Sequence, residues 1–178
     1  MNDQQAVARL QRGDIKGLDA LMVRYQVKAL RTAYLITQDA TLAEDVVQDA
    51  FVNVYRSIDS FDDQRPFTPW FMRIVVNGAI RTARKGQQLL PLDEDLDLDY
   101  LIDPAPGPDD GVESAEVEAA IWAALGALPA ERRAVIVLKY YLEMNESEIA
   151  DQLKIPVGTV KSRLHTAKRQ LRTMLQET

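Results

Sequence analysis

Apolar residues near the C-terminus recur every three or four positions, which is the spacing of one face of an amphipathic helix. Those positions are Val160, Leu164, Ala167, Leu171 and Leu175. Pro156 marks the start of this helix, because its fixed φ suits a first helical turn and would break an existing helix. The pattern therefore predicts a helix from Pro156 to Leu175 that packs on one side only.

A shorter helix is predicted immediately before it. Asn145 is a favourable N-cap, and Glu148 stands three residues further on, where the partner in a capping box belongs. This helix should run to Leu153, and residues 154–155 should end it. A capped short helix, a turn and a long helix in succession predict a helix-turn-helix.

The outer face of the long helix is polar and basic. It displays Gly158, Lys161, Ser162, His165 and Arg169, with Arg163 and Lys168 on its flanks. Such a face suits the major groove of DNA, because residues near the helix N-terminus can reach base edges while the flanking cations meet phosphates. A lone helix of this kind could equally be the basic surface of an ordinary helical domain. The shorter helix before it favours DNA binding.

The N-terminal half begins with two predicted helices. The first ends near Arg12, because Gly13 and Asp14 break it. The second ends within residues 37–40 and carries an approximate apolar stripe. That stripe consists of Leu18, Leu21, Met22, Tyr25, Leu30, Ala33 and Tyr34.

A third helix is predicted from Thr41, which forms a second capping-box pattern with Glu44, to about Ser60. Its buried stripe should be Val47, Ala50, Phe51, Val54 and Ile58. The opposite face collects Asp45, Gln48, Asp49, Val52 and Arg56. Taken alone, this face is most simply a solvated surface with one exposed valine.

A loop with two prolines leads to a fourth predicted helix, from about Pro69 to Lys85. Its inner side should be Phe71, Ile74, Val75 and Gly78, with the glycine allowing close approach of another helix. Its other side presents Arg73, Asn77, Ile80, Arg81 and Arg84, with Trp70 at the margin. Arginine, an amide and an aromatic ring together suit single-stranded nucleic acid. The alternative places the arginines in solvent and Trp70 in the core, which is the favoured position for this tryptophan.

Composition limits the class of protein. The 178 residues are enough for one core of moderate size or two small ones. The chain has no cysteine, which suits a reducing cytoplasm, and no apolar run approaches the roughly 20 residues that span a bilayer. We therefore expect a cytoplasmic protein without membrane insertion.

A net charge of −6 is unfavourable for DNA binding, since non-specific affinity comes from cations that meet phosphates. The distribution of charge resolves this conflict. Residues 1–88 carry 12 Lys and Arg against 10 Asp and Glu, residues 89–118 carry none against 11, and residues 119–178 carry 9 against 6. All the excess acid lies in the middle, so both flanks are mildly basic.

The middle segment, residues 89–111, is predicted to be a flexible acidic linker, because four prolines prevent long helices and little of it can be buried. Its carboxylates allow a second hypothesis, a metal-dependent hydrolase that holds Mg²⁺ or Ca²⁺ through oxygen ligands. The spacing of a calcium loop is absent, and the single histidine, His165, lies far away in sequence. A solvated tether is therefore favoured.

The C-terminal motif resembles a known family. The string Glu-Ile-Ala at 148–150, followed by Pro-Val-Gly-Thr-Val-Lys-Ser-Arg-Leu at 156–164, is similar to the DNA-binding region 4 of bacterial sigma factors of the extracytoplasmic-function type. Arg133 also fits that pattern, whereas Glu143 stands where the family more often has a glycine. The resemblance implies binding to the minus-35 promoter element. The residues assigned to that contact are Thr159, Lys161, Ser162, Arg163, His165, Thr166, Lys168 and Arg169.

Two stretches of the N-terminal half resemble region 2 of the same family. They are residues 44–51 and the set Phe67, Trp70, Phe71, Arg73, Ile74, Val76 and Asn77. The first implies docking on the coiled coil of the polymerase β′ subunit through Asp45, Gln48, Asp49 and Val52. The second, with the loop at 61–68, implies reading and opening of the minus-10 element. The residues assigned to that contact are Phe67, Trp70, Arg73, Asn77, Arg81 and Arg84.

These patterns predict an all-α protein of two small helical domains joined by a flexible acidic linker. The domains are a region 2-like bundle at 1–88 and a region 4-like helix-turn-helix at 112–178, with the linker at 89–111. The resemblance implies a promoter-specificity subunit that is monomeric when free, with core RNA polymerase (β′ and β subunits), promoter DNA and an anti-sigma protein as partners. No catalytic residue, metal or cofactor is expected.

Two alternatives remain beside this prediction. A stand-alone helix-turn-helix regulator has no use for both N-terminal faces, and a hydrolase would need a second, convergent set of ligands.

Overall fold

A computed structural model of the protein describes residues 1–87 and 113–176. Helices and their connecting turns make up these residues, with no strand among them, so the all-α prediction is confirmed. The chain forms two compact units, Met1–Gly86 and Gln87–Thr178. The predicted linker at 89–111 lies outside the described residues, as does the acidic run of the metal hypothesis. No helix in the described ranges combines the length and the apolar character needed to cross a bilayer.

The first unit contains four helices in up-and-down order. They are α1 (Asp3–Gln11), α2 (Lys16–Thr37), α3 (Ala40–Ser57) and α4 (Phe67–Gln87). A 3₁₀ turn, Ile58–Ser60, extends α3, and residues 61–66 form the α3–α4 loop. Gly13, with a φ of 82°, occupies the break between α1 and α2. The predicted break after Arg12 is therefore confirmed.

The core of this unit follows the predicted apolar stripes. All five stripe residues of α3 are buried, from Val47 to Ile58. In α2 the stripe residues Leu21, Tyr25, Ala33 and Tyr34 are buried, while Leu18, Met22 and Leu30 are half-buried. Phe71 and Val75 of α4 are fully buried, and Gly78 brings α4 close to Val46 of α3, since an added Cβ would lie 3.3 Å from Val46 Cγ1.

Two helix starts differ from the sequence-based expectation. The N-cap of α3 is Asp39, whose carboxylate accepts a hydrogen bond from the Leu42 backbone N–H at 2.8 Å, so the Thr41 and Glu44 capping box is wrong. Gln38, in the left-handed conformation, ends α2, and the chain reverses there, which leaves Asp39 in the extended conformation of an N-cap. Helix α4 begins at Phe67 rather than near Pro69.

The second unit, as far as it is described, contains four helices. They are α5 (Glu113–Ala127), α6 (Ala130–Ile136), α7 (Glu146–Leu153) and α8 (Val157–Gln176). A π-helical turn, Val137–Tyr141, continues α6. Helices α5, α6 and α7 all pack against α8, which places the long helix at the centre of their contacts.

Local signals define the helix-turn-helix as predicted. Asn145 caps α7, and both hydrogen bonds of its capping box with Glu148 are present, at 2.9 and 2.7 Å. Lys154, with a φ of 57°, ends α7 in the left-handed conformation, and the Pro156 carbonyl accepts the first hydrogen bonds of α8. Along the apolar stripe of α8, Val160, Leu164 and Ala167 are buried and Leu171 is half-buried. Leu175 is 41% exposed, so the stripe ends one turn earlier than predicted.

Arg133 is the principal polar group in the core of this unit, and it is only 3% exposed. Its guanidinium donates hydrogen bonds of 2.8 Å to the carbonyls of Leu125, Gly126 and Leu128. Those carbonyls lie at the end of α5, where helical acceptors lack partners within the helix. Burial lowers the pKa of Arg133 to about 10. This residue therefore joins α6 to the end of α5 and makes no part of the outer surface.

Candidate nucleic-acid interface

The outer face of α8 carries the exposed polar residues that the sequence predicts. Lys161, Ser162, His165, Lys168 and Arg169 are exposed, and Thr159, Arg163 and Thr166 are half-buried at the borders of the face. The helix contains five Lys and Arg and no acidic residue. Its exposed surface is therefore positive over its whole length, as binding to phosphates requires.

Side-chain contacts hold α8 against the helices that precede it. Arg132 Nη1 of α6 donates to Gln170 Oε1 of α8 at 3.1 Å. Two residues earlier in α8, the Lys168 ammonium lies 6.0 Å from the centre of the Tyr140 ring, at the outer limit for a cation–π interaction. These contacts engage the second half of α8 and leave Lys161, Ser162 and His165 uncovered.

The sequence did not predict the π-helical turn at 137–141. Leu142 N–H donates to the Val137 carbonyl at 3.1 Å, which widens the helix by one residue. Tyr140 and Tyr141 are consequently exposed beside the helix-turn-helix, at 58% and 38%. Glu143 follows with a φ of 55°, which explains why a glycine is the more usual residue at this position.

The outer face of α4 is the second basic surface. Asn77, Arg81 and Arg84 are exposed, and Trp70, Arg73 and Ile80 are half-buried beside them. Helix α4 contains four Lys and Arg and no acid. The basic and amide groups predicted from the sequence are therefore brought onto one face.

An aromatic cluster connects this face to the α3–α4 loop. The Trp70 ring lies 4.7 Å from Phe61 and 5.7 Å from Phe67, measured between ring centroids. Phe67 also packs on Tyr25 and Phe71, at 5.4 and 5.6 Å. Trp70 is thus half core residue and half surface residue, as its marginal position on the helix indicates.

Phe67 does not fit its assignment to DNA contact. Its side chain is 3% exposed and lies inside the aromatic cluster. The ring supports the start of α4 and cannot reach a base in this conformation. A resemblance in sequence locates the position of such a residue but does not show which way its side chain points.

The outer face of α3 is acidic and exposed. Asp45, Gln48, Asp49, Val52 and Arg56 are all exposed, and Val52 keeps 40% of its surface in contact with solvent. Tyr55, 57% exposed, enlarges the apolar part of this surface next to Val52. Tyr55 was not among the predicted site residues, although its position three residues after Val52 would have indicated it.

The hypothesis of a metal site was also compared with the side chains that the structure describes. Among those residues no group of three or more His, Asp or Glu side chains is arranged to hold a metal ion. The exposed features of the two units are the basic outer faces of α4 and α8 and the acidic outer face of α3. This arrangement, with a helix-turn-helix, defines a DNA-binding protein built from two helical units.

Comparison with known proteins identifies the family. The family model described as Sigma-70 region 2 matches residues 21–88, and the model described as Sigma-70, region 4 matches residues 118–171. The chain is 33% identical to the ECF RNA polymerase sigma factor SigW of Bacillus subtilis, over 98% of this chain and 97% of that protein. It is 32% identical to the ECF RNA polymerase sigma-E factor of Escherichia coli strain K12, over 99% and 95% of the two chains.

Solved structures agree with this result. A structure of CnrH in complex with the cytosolic domain of CnrY matches with a TM-score of 0.69 and 27% identity, over 98% of this chain and 97% of that one. The chain therefore belongs to the sigma-70 family. It is a sigma factor of the extracytoplasmic-function type, which directs RNA polymerase in transcription initiation.

Proposed function

We propose that the two units divide promoter recognition between them. The α8 face reads the minus-35 element, the α4 face with the α3–α4 loop binds and opens the minus-10 element, and the α3 face binds core polymerase. The observation that carries this proposal is the outer face of α8, where exposed polar residues and cations follow one helical stripe.

On α8 the proposal separates two kinds of contact. Lys161, Ser162 and His165 are exposed near the N-terminus of the helix, where a recognition helix reaches base edges. Thr159 and Thr166, half-buried, border that patch. Arg163, Lys168 and Arg169 lie beside or beyond the patch and bind phosphates whatever the sequence.

A promoter library tests this separation. Transcription by polymerase reconstituted with Lys161→Ala or Ser162→Ala should change the order of preference among minus-35 sequences, since a bidentate base contact contributes about 1 to 3 kcal/mol of discrimination. Arg169→Ala should weaken all promoters alike and reduce the salt slope by about one unit. If the Lys161 and Ser162 changes merely scale the output of every promoter by one factor, this face does not read bases.

The minus-10 surface is proposed on the α4 face. Asn77, Arg81 and Arg84 are exposed there, and Trp70 and Arg73 are half-buried. The half-exposed Trp70 ring offers a surface on which an unpaired base can stack, and the arginines meet phosphates. Phe67 supports this surface from beneath.

Docking on core polymerase is proposed for the α3 face. The exposed carboxylates of Asp45 and Asp49 lie on the same face as Val52 and precede it by seven and three residues, so this surface combines acidic and apolar groups that suit docking on a partner such as the β′ coiled coil. Asp45→Lys with Asp49→Lys should reduce co-purification with core polymerase and leave helicity unchanged, because exposed substitutions usually alter stability by under about 0.5 kcal/mol. Asp19→Lys, at an exposed acid of α2, is the matched control. Equal recovery of polymerase with the double variant and with the control would refute this assignment.

An anti-sigma protein is proposed as a further partner. A solved sigma factor of similar fold, RpoE, is in complex with the anti-sigma factor NepR from Bartonella quintana, with a TM-score of 0.66 and 22% identity to this chain. Exposed polymerase- and DNA-binding faces would be available for such sequestration. Purification of the tagged chain from its own cells should yield a complex without polymerase subunits. Recovery only as free chain or with polymerase would contradict the proposal.

A further inference from the structure

Helix α1 lies outside both matched family segments, since the region 2 model begins at residue 21. Its residue Gln11 nevertheless bonds to the start of the α3–α4 loop, and its residue Asp3 is linked to the end of that loop through Tyr25 of α2, each contact with the loop spanning more than 40 residues of sequence. This connection does not depend on the family resemblance, and it concerns the loop for which we propose a role at the minus-10 element.

The first connection is at the start of the loop. The side-chain amide of Gln11, the last residue of α1, donates to the carbonyls of Ile58 and Phe61, at 3.1 Å each. An amide nitrogen carries two hydrogens, so one group can satisfy both carbonyls. Gln11 therefore fixes the point at which the chain leaves the 3₁₀ turn.

The second connection is at the end of the loop. Tyr25 Oη of α2 donates to the carboxylate of Asp3, in the first turn of α1, and lies 2.7 Å from Thr68 Oγ1, in the first turn of α4. A phenol has one proton, which Tyr25 gives to Asp3, so the Thr68 hydroxyl donates to Tyr25. Arg24 in turn binds Asp3 and donates to the Met1 carbonyl at 2.6 Å, which holds the N-terminus in place.

Between these two connections the loop has little packing of its own. Residues 62–66 are all exposed. A cavity of about 320 Å³ separates the loop from α1, with Asp3, Gln4 and Val7 on one wall and residues 63–66 on the other. A loop that borders a cavity gains few dispersion contacts. The loop also contains a turn of its own, in which the Arg65 N–H donates to the Asp62 carbonyl at 3.0 Å and Arg65 Nε lies 3.2 Å from Asp62 Oδ2. The hydrogen bonds at the two ends of the loop fix the position of this turn relative to α1 and α2.

We infer that α1 positions the α3–α4 loop for the non-template strand, with Gln11 at one end of the loop and Asp3, acting through Tyr25, at the other. The inference rests on the proposed function of the loop. The residues named are positioning residues, because they act through the loop and need not touch DNA. A loop held in its binding conformation loses less conformational freedom on binding, so these bonds raise affinity for the strand.

Tyr25→Phe tests the inference most directly. It removes the hydroxyl and both of its hydrogen bonds while the ring, packed against Phe67 and Phe71, remains. Tyr34→Phe is the matched control, because Tyr34 is buried in the same helix and lies near Asp39, at the other end. Gln11→Met removes the connection at the start of the loop at nearly constant side-chain length.

The probe is a fluorescent single-stranded oligonucleotide with the minus-10 non-template sequence, bound by holoenzyme reconstituted from core polymerase and the full chain. Tyr25→Phe and Gln11→Met should each weaken this binding about 5-fold, because each removes two hydrogen bonds and their loss reaches the strand only through the position of the loop. Affinity for core polymerase and for duplex minus-35 DNA should not change, and faster amide hydrogen exchange should be confined to residues 58–68. The double variant should lose more than either single one.

The outcomes separate this inference from the proposed function. Wild-type holoenzyme that does not prefer the minus-10 strand over a scrambled one would refute the proposed role of the loop. With that preference intact, binding by both variants within two-fold of the wild type would overturn the inference. It would also be overturned by an equal loss in Tyr34→Phe, which would indicate a general effect of removing a buried hydroxyl from α2.

Discussion

Gly17 sets how closely α1 approaches α2, and its replacement by alanine tests how tightly these two helices pack. Gly17 is buried in the first turn of α2. A Cβ at this position would lie 2.3 Å from the Ala6 carbonyl oxygen and 2.7 Å from the Leu10 backbone nitrogen, both in α1. An ordinary contact of this type is about 3.3 Å or longer. Because both neighbours are backbone atoms, α1 as a whole must move away by about 1 Å.

The magnitude follows from two opposing effects. Overpacking a close contact between helices costs about 1 to 3 kcal/mol. Alanine has a better helix propensity than glycine by about 1 kcal/mol, which offsets part of that cost. Because the added Cβ would meet two backbone atoms at under 3.0 Å, the overpacking cost should lie at about 2 to 3 kcal/mol, and the net destabilisation at about 1 to 2 kcal/mol. A domain of this size loses about 4 to 8 °C in melting temperature per kcal/mol.

The assay is thermal unfolding of the full chain, followed by the fluorescence of Trp70 in a Trp122→Phe background. The protein has two tryptophans, one in each unit, so this background reports on the first unit alone. Gly86→Ala is the matched control, because an added Cβ there meets nothing within 4 Å, and it should leave the melting temperature unchanged or raise it slightly. A Gly17→Ala variant as stable as the wild type would refute the reasoning, since α1 would then have room to adjust without cost.

Three further predictions concern the second unit. Glu143→Gly should raise the free energy of unfolding by about 1 kcal/mol, because a φ of 55° is strained for a residue with a Cβ, whereas Glu143→Ala should give no such gain in denaturant titration. Arg133→Met should lower the free energy of unfolding by about 3 kcal/mol or more, because it leaves the carbonyls at the end of α5 without their donor. Arg133→Lys should recover little of that stability, because one ammonium cannot replace the several donors of a guanidinium, and full recovery in denaturant titration would contradict this explanation. Asn145→Ala should lower the free energy of unfolding by about 1 kcal/mol through loss of the α7 cap, while Asn145→Ser should keep most of the wild-type stability. Equal stability of the two variants in denaturant titration would show that the capping box contributes nothing.

The surfaces proposed for function were largely available from the sequence. The exposed residues of α8, α4 and α3 follow from helical periodicity, because a residue every three or four positions must share a face. Their assignment to promoter and polymerase came from the family resemblance. Periodicity could not decide whether the side chains of Phe67 and Trp70 are buried, because both residues lie near the boundary between core and surface. The neighbours that cover them come from other parts of the chain.

The sequence by itself determined the helix-turn-helix. Asn145 with Glu148, and Pro156, act on groups within one helical turn, so these signals hold whatever the rest of the chain does. Tertiary structure decided where the apolar stripe of α8 ends, because burial of Leu175 requires a neighbouring helix long enough to cover it.

Helical periodicity did not choose between Asp39 and Thr41 as N-cap, since both are suitable residues; the left-handed Gln38 and the extended Asp39 that follows it make Asp39 the cap. The hydrogen bonds that join Gln11 and Tyr25 to the two ends of the α3–α4 loop span 43 to 50 residues. No local pattern can indicate such bonds. They exist only because the packing of α1 on α2 and of α2 on its neighbours brings these polar groups within 3.1 Å of one another.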